Sequence, residues 1–501
     1  MVGSPIGSTK NNHINYSTPD TTMLLRDKIK DEPGFQYVVD NLQIMSSAAR
    51  RQLLDTPWQT DGASIEREYD NIARVADLLR DPEAQRPMAV IRHKLMELHD
   101  IATTLGNLIH HMRMTEVELF EIKQLSLLCI EADKAARQLH IESMLAIPSL
   151  QLVFDLLDPD HTGIANFYIY DSYHPQLGPL RRELKQQQAY LDAHEREMTE
   201  DQIARQNALV GDLFGRQEAL QQQIVAQLSD RLQPMGQLLL DALGRMAYTD
   251  ILIAKAEQSI DWQLCRPEIS RQGTAYEGLF NARLRSRNGE LGIRYQPIDI
   301  RLQQGVCLIT GANMAGKTVV LKTVGVAQLM VQFGMYAPAA RASVQLVDDV
   351  VFCIGDEQNE MNGLSSFASE IIKISSTLRY AERAHLLVLI DEPARTTNPI
   401  EGKAIVQAIG SILDSRPSLT LITTHYSYLG LGCRRLRVKG FDESLSHQSL
   451  SADTINQFMD YALVEEQSEE VPHEALRIAT ILGCDSQMLD EAQRFLDANN
   501  S

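Results

Sequence analysis

The chain has 501 residues, 44% of them hydrophobic and 23% charged, with a formal net charge of −19. That length suits about two to four globular domains, while the absence of any run near 18 apolar residues, of an apolar leader core and of metal-ligand spacing among the six cysteines predicts a cytoplasmic protein with free thiols and no membrane contact. The acidity counts only weakly against DNA, because affinity for nucleic acid rests on local Lys and Arg rather than on the total.

Residues 1–22, rich in Ser, Thr, Asn and Gly, are expected to form a disordered tail. From 23 to about 260 the pattern is helical. Ile65, Tyr69, Ile72, Val75 and Leu79, for example, recur at the three-to-four spacing of one buried face. Within this region LLDPDHTGIANFYIYDSYHPQLGP reads as an ordered connection. Between Pro179 and Pro234 no proline occurs, and Glu, Gln, Arg, Leu and Ala dominate. This predicts a long helical hairpin over about 180–233, with arms of roughly 40 Å and with Gly211 and Gly215 as candidate bends. Leu184, Leu191, Met198, Leu220, Ile224 and Leu228 form its candidate apolar seam. Over 261–460, and most clearly from Ile298, short apolar runs (GVCLIT, LLVLI, TLIT) alternate with helical segments, as buried parallel strands do in an α/β domain. Residues 461–501 are expected to be C-terminal helices, broken at Gly483 and recapped by Asp485 or Ser486. The expected fold class is multidomain: an all-α region with a long hairpin, an α/β domain, and terminal helices.

Residues 311–318 read GANMAGKT, a GxxxxGK[ST] pattern between an apolar strand and a helix. The backbone N–H groups of Gly311, Ala312, Asn313, Met314, Ala315 and Gly316 can close around the phosphates of ATP, with Val319 completing the set. Lys317 can reach the β- and γ-phosphates, and Thr318 can offer its hydroxyl to Mg²⁺. The run 386–390 ends in Asp391-Glu392, where one carboxylate can serve the Mg²⁺ shell and the other can orient or activate water. The strand 419–423 ends in Thr424-His425, which brings an imidazole to the same sheet edge. Between them GLSSFASE (363–370) is a Ser-rich helix start, read either as an anion site or as an ordinary cap.

The order GANMAGKT, GLSSFASE, DEPARTTNPIEG, TTHY resembles the ATPase domain of the MutS family, within the ABC ATPase class. Asn313-Met314, Ser365-Ser366-Phe367 and Thr424-His425-Tyr426 are its more specific elements. The resemblance is strong from about 240 and extends upstream to about 60, through MAYTDILIAKAEQSIDWQLCRPEI and LDPDHTGIANFYIYDSYHPQLGPLRREL; the last helices are similar to the family's dimerisation helices. It implies a P-loop ABC-type ATPase domain in a homodimer, or a heterodimer with a related subunit, holding two composite sites. Lys317 and Thr318 would hold ATP and Mg²⁺, Asp391 the metal shell, Glu392 the water, and His425 would sense the γ-phosphate, while Ser365 would reach the partner's ATP. The family's adenine-stacking position holds Ile293 here, and Tyr295 is the nearest substitute. Pro393-Ala394 replaces the family's hydrophobic-Gly pair. Neither a mismatch-reading domain nor a nuclease domain is expected.

The DEPARTTNP variant resembles a subgroup of ATPases that reactivate adenosylcobalamin-dependent lysine or ornithine aminomutases, which implies a remodelled protein client, although no cobalamin-ligating DxHxxG is found. Residues 195–212 hold two arginines against five acids, a formal net of −3 that would repel phosphate and favours a protein client. The alternatives are a DNA-binding ATPase of mismatch repair or recombination, and an ATP-dependent scaffold.

Overall fold

The structure, a computed structural model, describes residues 23–311, 316–355, 366–441, 459–466, 476, 479–480 and 484–499. Its first half is helical: α1 (Leu25–Asp31), α2 (Pro33–Asp40), α3 (Ser47–Leu54), α4 (Gly62–Arg80), α5 (Gln85–Met96), α6 (Ala102–Ile109), α7 (Glu116–Gln138), α8 (Glu142–Leu145), α9 (Gln151–Leu157), α10 (Leu177–His194), α11 (Glu200–Leu232) and α12 (Gly236–Asp261). There follow β1 (Glu268–Ser270), β2 (Thr274–Leu279), α13 (Ala282–Glu290), β3 (Ile298–Leu302), β4 (Gly305–Thr310), α14 (Lys317–Gln332), β5 (Arg341–Gln345) and β6 (Asp349–Cys353). The chain continues through α15 (Ser366–Tyr380), β7 (Leu386–Ile390), α16 (Pro399–Asp414), β8 (Leu419–Thr423), β9 (Arg434–Phe441), β10 (Met459–Glu465) and α17 (Ser486–Asn499). Two units result, one from Leu42–Leu53 and Asn71–Glu257, the other from Met1–Asn41, Leu54–Asp70 and Gln258–Ser501. Among the described residues no helix is long and apolar enough to cross a membrane.

In the helical unit the connection after α9 is ordered by a buried charge. Lys123, fully buried on α7, donates to Asp158 Oδ1 (3.0 Å), the Tyr170 hydroxyl (2.9 Å) and the Asn166 carbonyl (2.9 Å). Burial alone would raise the Asp158 pKa. Thr162, the Gly163 N–H and Lys123 outweigh it and hold the carboxyl down at about 2. The hairpin is real but uneven: α10 has 18 residues and α11 has 33, so the arms span roughly 27 and 50 Å rather than 40 Å each. Leu180, Leu184 and Leu213 seal them, with Val210 and Leu220 packed alongside. The turn falls before Thr199, whose hydroxyl and the Gln202 side chain cap α11 reciprocally. Gly211 and Gly215 therefore are not bends. Both lie inside α11, facing open space. Each costs only about 1 kcal/mol against alanine, too little to break a long helix of good formers.

The α/β unit also takes in residues 23–41 and 54–70, which the sequence pattern groups with the helical region. Aromatic packing explains this. Phe35 stacks on Phe333 (5.6 Å), Trp58 meets the same ring edge-on (5.3 Å), and the Trp58 indole N–H donates to the Val347 carbonyl at 3.1 Å. Lys28 pairs with Asp349 at 2.5 Å. A small sheet runs β1-β5-β2-β3, and a larger one runs β10-β9-β4-β8-β7-β6. From β9 to β6 the larger sheet is parallel, and β4, β6, β7 and β8 are buried along their whole length. A parallel sheet covered on both faces favours apolar residues throughout, and these segments are apolar apart from Asp349 at the start of β6 and the threonines Thr310, Thr420 and Thr423. One face, through Leu308, Val388 and Ile390, packs on Ile374 of α15 and Val406, Ile409 and Leu413 of α16.

Two further findings concern the C-terminal region. Helices were expected from 461, but β10 is a strand antiparallel to β9, supported by Arg434–Glu465 and Lys439–Asp460 across the pair. The first of the two expected terminal helices lies largely outside the described residues. The second is α17, and the Asp485 side chain accepts the Met488 N–H at 2.9 Å, as an N-cap should.

Helix α14 lies directly against the larger sheet, and Gly325 permits this close approach: a Cβ there would lie 2.3 Å from the Phe352 ring and 2.7 Å from Leu389. At its far end Gln332 donates to the Gln59 and Val347 carbonyls (2.8 Å each) and accepts from the Val347 N–H (3.0 Å) and from Gln328 (2.8 Å). Replacing Gly325 by Val gains helix propensity but forces atoms into the strands. Overpacking wins, and the variant is expected to lose about 1–3 kcal/mol in a denaturant titration.

Candidate functional site

Neighbouring strands β4, β8 and β7 end side by side, so the segments that come after them converge at one sheet edge. After β4 the chain turns through Gly316, whose φ of +79° suits glycine, into Lys317 at the first turn of α14. The Lys317 ammonium, almost wholly buried, donates to the Gly311 carbonyl (2.8 Å) and lies 3.1 Å from Glu392 Oε1. The Thr318 hydroxyl donates to Asp391 Oδ2 and the Thr423 hydroxyl to Asp391 Oδ1, both at 2.7 Å. The Thr423 oxygen in turn accepts the Glu392 N–H at 2.8 Å. Arg395 stands 3.5 Å from Glu392. Thus Gly311, Gly316, Lys317, Thr318, Asp391 and Glu392 come together, with Val319 in the same helical turn. Ala312, Asn313, Met314, Ala315 and Ser365 lie outside the described residues.

The donor set fits Mg²⁺. This ion takes one or two protein oxygens and keeps phosphate oxygens and waters for the rest, and Asp391 with Thr318 supplies a carboxylate and a hydroxyl on adjacent elements. No group of three or more His, Cys, Asp or Glu among the described residues could hold a metal ion by itself.

His425 comes directly after β8 and remains accessible. Burial against its neighbours lowers its pKa below the ordinary 6.5, Glu392 opposes the shift, and Lys317 and Arg395 reinforce it, so the ring is neutral at pH 7. On α15, Glu370 accepts the Ala394 N–H at 3.2 Å. Its pKa is raised by burial, against the pull of that hydrogen bond, and by the nearby Asp391.

Tyr295 is held by its hydroxyl. Its hydroxyl accepts the Asn281 N–H (2.8 Å) where Asn281 caps α13. An aromatic ring beside Gly316 is that of Tyr461, about 3.2 Å from where a Cβ on Gly316 would stand. Gln296 holds it, accepting the Tyr461 N–H (3.0 Å) and donating to Asp460 (2.7 Å). Reading 461–501 as helical hid this residue. The available signal was the alternation Met459, Tyr461, Leu463, which is strand periodicity.

The electrostatics of His425 can be measured directly. An NMR titration is expected to give a midpoint below 6.5, and Glu392→Gln, by removing the opposing carboxylate, is expected to move it lower still; a rise would show that the sign of the Glu392 effect is mistaken.

Residues 307–498 match the family described as MutS domain V. The endonuclease MutS2 of Thermomicrobium roseum is 38% identical over 217 residues, covering 42% of this chain and 27% of that protein. The endonuclease MutS2 of Lactiplantibacillus plantarum is 30% identical over 297 residues (56% of this chain, 34% of the relative). The DNA mismatch repair protein MutS of Roseiflexus is 32% identical over 242 residues (46% and 21%). The chain therefore spans about a third or less of the length of these curated relatives. Across the segment that carries Lys317, Thr318, Asp391, Glu392 and His425, this chain is similar to domain V of MutS proteins.

Proposed function

We propose that the chain binds ATP with Mg²⁺ at the β4–α14 turn, hydrolyses it, and uses the cycle to drive conformational change on DNA, as a MutS-type ATPase. The observation that carries the hydrolytic reading is the linked set Thr318–Asp391–Thr423–Glu392–Lys317, in which hydroxyl, carboxylate and ammonium groups meet at the end of three parallel strands. In this reading Lys317 aligns the β- and γ-phosphates, and Thr318 and Asp391 hold Mg²⁺. Mg²⁺, when bound, offsets phosphate charge. Glu392 orients the attacking water and takes its proton, and neutral His425 contacts the γ-phosphate. Tyr461 offers a ring face for the adenine beside Gly316.

Two similar copies would complete the machine. The exposed α17 presents Met488 (52% exposed) and Phe495 (68%) along with Leu489, Ala492 and Leu496, an apolar stripe at helical spacing that a second copy would cover. The names of the relatives favour DNA over an aminomutase as the partner. The formal net of −3 over 195–212 supports the second reading, a protein client touching the hairpin, and in the DNA reading it moves phosphate contact away from that turn.

Glu392→Gln is expected to keep ATP binding while losing at least about a hundredfold in turnover, and Lys317→Ala to lose binding itself; wild-type turnover in the first variant would reject Glu392 as the catalytic carboxylate. Duplex and branched DNA are expected to bind at low salt, to alter turnover, and to lose their effect as salt rises. Unchanged turnover and no binding at low salt would instead favour the protein client.

A further inference from the structure

Two residues just past β7 adopt backbone conformations that L-amino acids reach only at a steric cost: Glu392 has φ +41° and Ala394 has φ +60°. Ala394 is completely buried, and neither residue is a glycine. Both peptide groups of Ala394 are gripped. Its N–H donates to Glu370 Oε1 at 3.2 Å, and its carbonyl accepts from the Tyr426 hydroxyl at 3.3 Å and from the Thr397 N–H at 3.4 Å. Gly402 makes the grip possible, since a Cβ there would fall 2.3 Å from the Tyr426 hydroxyl and 3.0 Å from the Ala394 carbonyl oxygen. Pro393, with its fixed φ and no N–H, leaves the Ala394 amide as the next backbone donor after Glu392.

We infer that Glu370 and Tyr426 are positioning residues that hold the 392–394 turn in its left-handed form and so aim the Glu392 carboxylate at the Lys317 side of the site. The inference rests on the hydrolytic reading and deepens it. Glu370 sits in the second turn of α15 and Tyr426 comes just after His425, so the brace joins three segments that flank the site. What it supplies is a fixed acceptor and a fixed donor. A side chain of equal hydrogen-bonding capacity can replace Glu370, whereas an apolar one of similar size cannot. Its position on α15 also makes hydrolysis depend on where that helix stands, because any shift of the Glu370 carboxyl releases the turn.

The experiment compares Glu370→Gln, Glu370→Leu, Tyr426→Phe and the double variant Glu370→Leu/Ala394→Gly in the full chain. Steady-state ATPase assays and hydrogen exchange at the Ala394 amide are the readouts. Glu370→Leu is expected to lower kcat by roughly tenfold to a hundredfold with KM for ATP within about twofold, since a displaced group costs rate rather than ground-state binding. Its Ala394 amide is expected to exchange faster. Glu370→Gln, which keeps the acceptor, is expected to retain both kcat and protection. Tyr426→Phe is expected to lie between the two. Glycine adopts the left-handed conformation freely, so the double variant is expected to recover part of kcat. Exchange at Ala394 unaffected by Glu370→Leu would overturn the proposal. So would a kcat loss as large in Glu370→Gln as in Glu370→Leu, which would assign the effect to charge. If the wild-type chain hydrolyses no ATP, the hydrolytic reading fails by itself, and the exchange pattern still decides whether the brace holds the turn.

Discussion

Asp391 accepts hydroxyl hydrogens from Thr318 and Thr423, each at 2.7 Å, and the arrangement of the site depends on this one carboxylate. One bond reaches the first turn of α14 and the other the last residue of β8, so a single side chain at the end of β7 ties three elements together. The sheet order explains why the tie is possible. Strand β8 lies between β4 and β7, and its final threonine can therefore face the ends of both neighbours. Thr423 uses its other capacity to accept the Glu392 N–H, which links the two carboxylates through one hydroxyl. Hydrogen bonds to a charged group contribute about 1.5–3 kcal/mol each, enough to hold this geometry against loop fluctuation.

Much of this was legible in the sequence because burial writes itself into composition. Strand β7 is apolar at every position and the polar residues of β4 and β8 are threonines alone, and the residues that follow β7 and β8, Asp391-Glu392 and Thr424-His425, inherit their place from the strand. Asp485 was legible as a cap for the same local reason. What a chain buries its apolar stripe against is not written in the stripe. Residues 23–41 and 54–70 have helical or mixed patterns that fit either unit, and it is tertiary contacts such as Phe35 and Trp58 on Phe333 and Lys28 on Asp349 that decide the matter. Tyr461 was hidden by a short strand among helix-forming neighbours. The φ of Ala394 was hidden more deeply, since alanine carries no local signal for the left-handed region and only its tertiary grip reveals it.

The two carboxylates at the end of β7 also show how environment separates roles in one dipeptide. Asp391 accepts one hydroxyl on each oxygen, from Thr318 and Thr423, which fixes its orientation and leaves acceptor capacity over. Glu392 is instead bordered by Lys317 and Arg395, with His425 close enough to feel its charge. A carboxylate bordered by two cations can shift between them without breaking the framework.

The packing of α14 limits how a change at its first turn can travel. Bare of a side chain at 325, the helix rests on Phe352 and Leu389, and its far end is pinned by the amides of Gln328 and Gln332. Turning it by one residue would swing these groups by roughly 100° and leave buried amides without partners. The helix therefore behaves as a fixed post rather than a piston. A displacement that begins at Gly316 and Lys317 would have to leave through the segments after β7 and β8, where Glu392, Ala394 and Tyr428 already stand at positive φ.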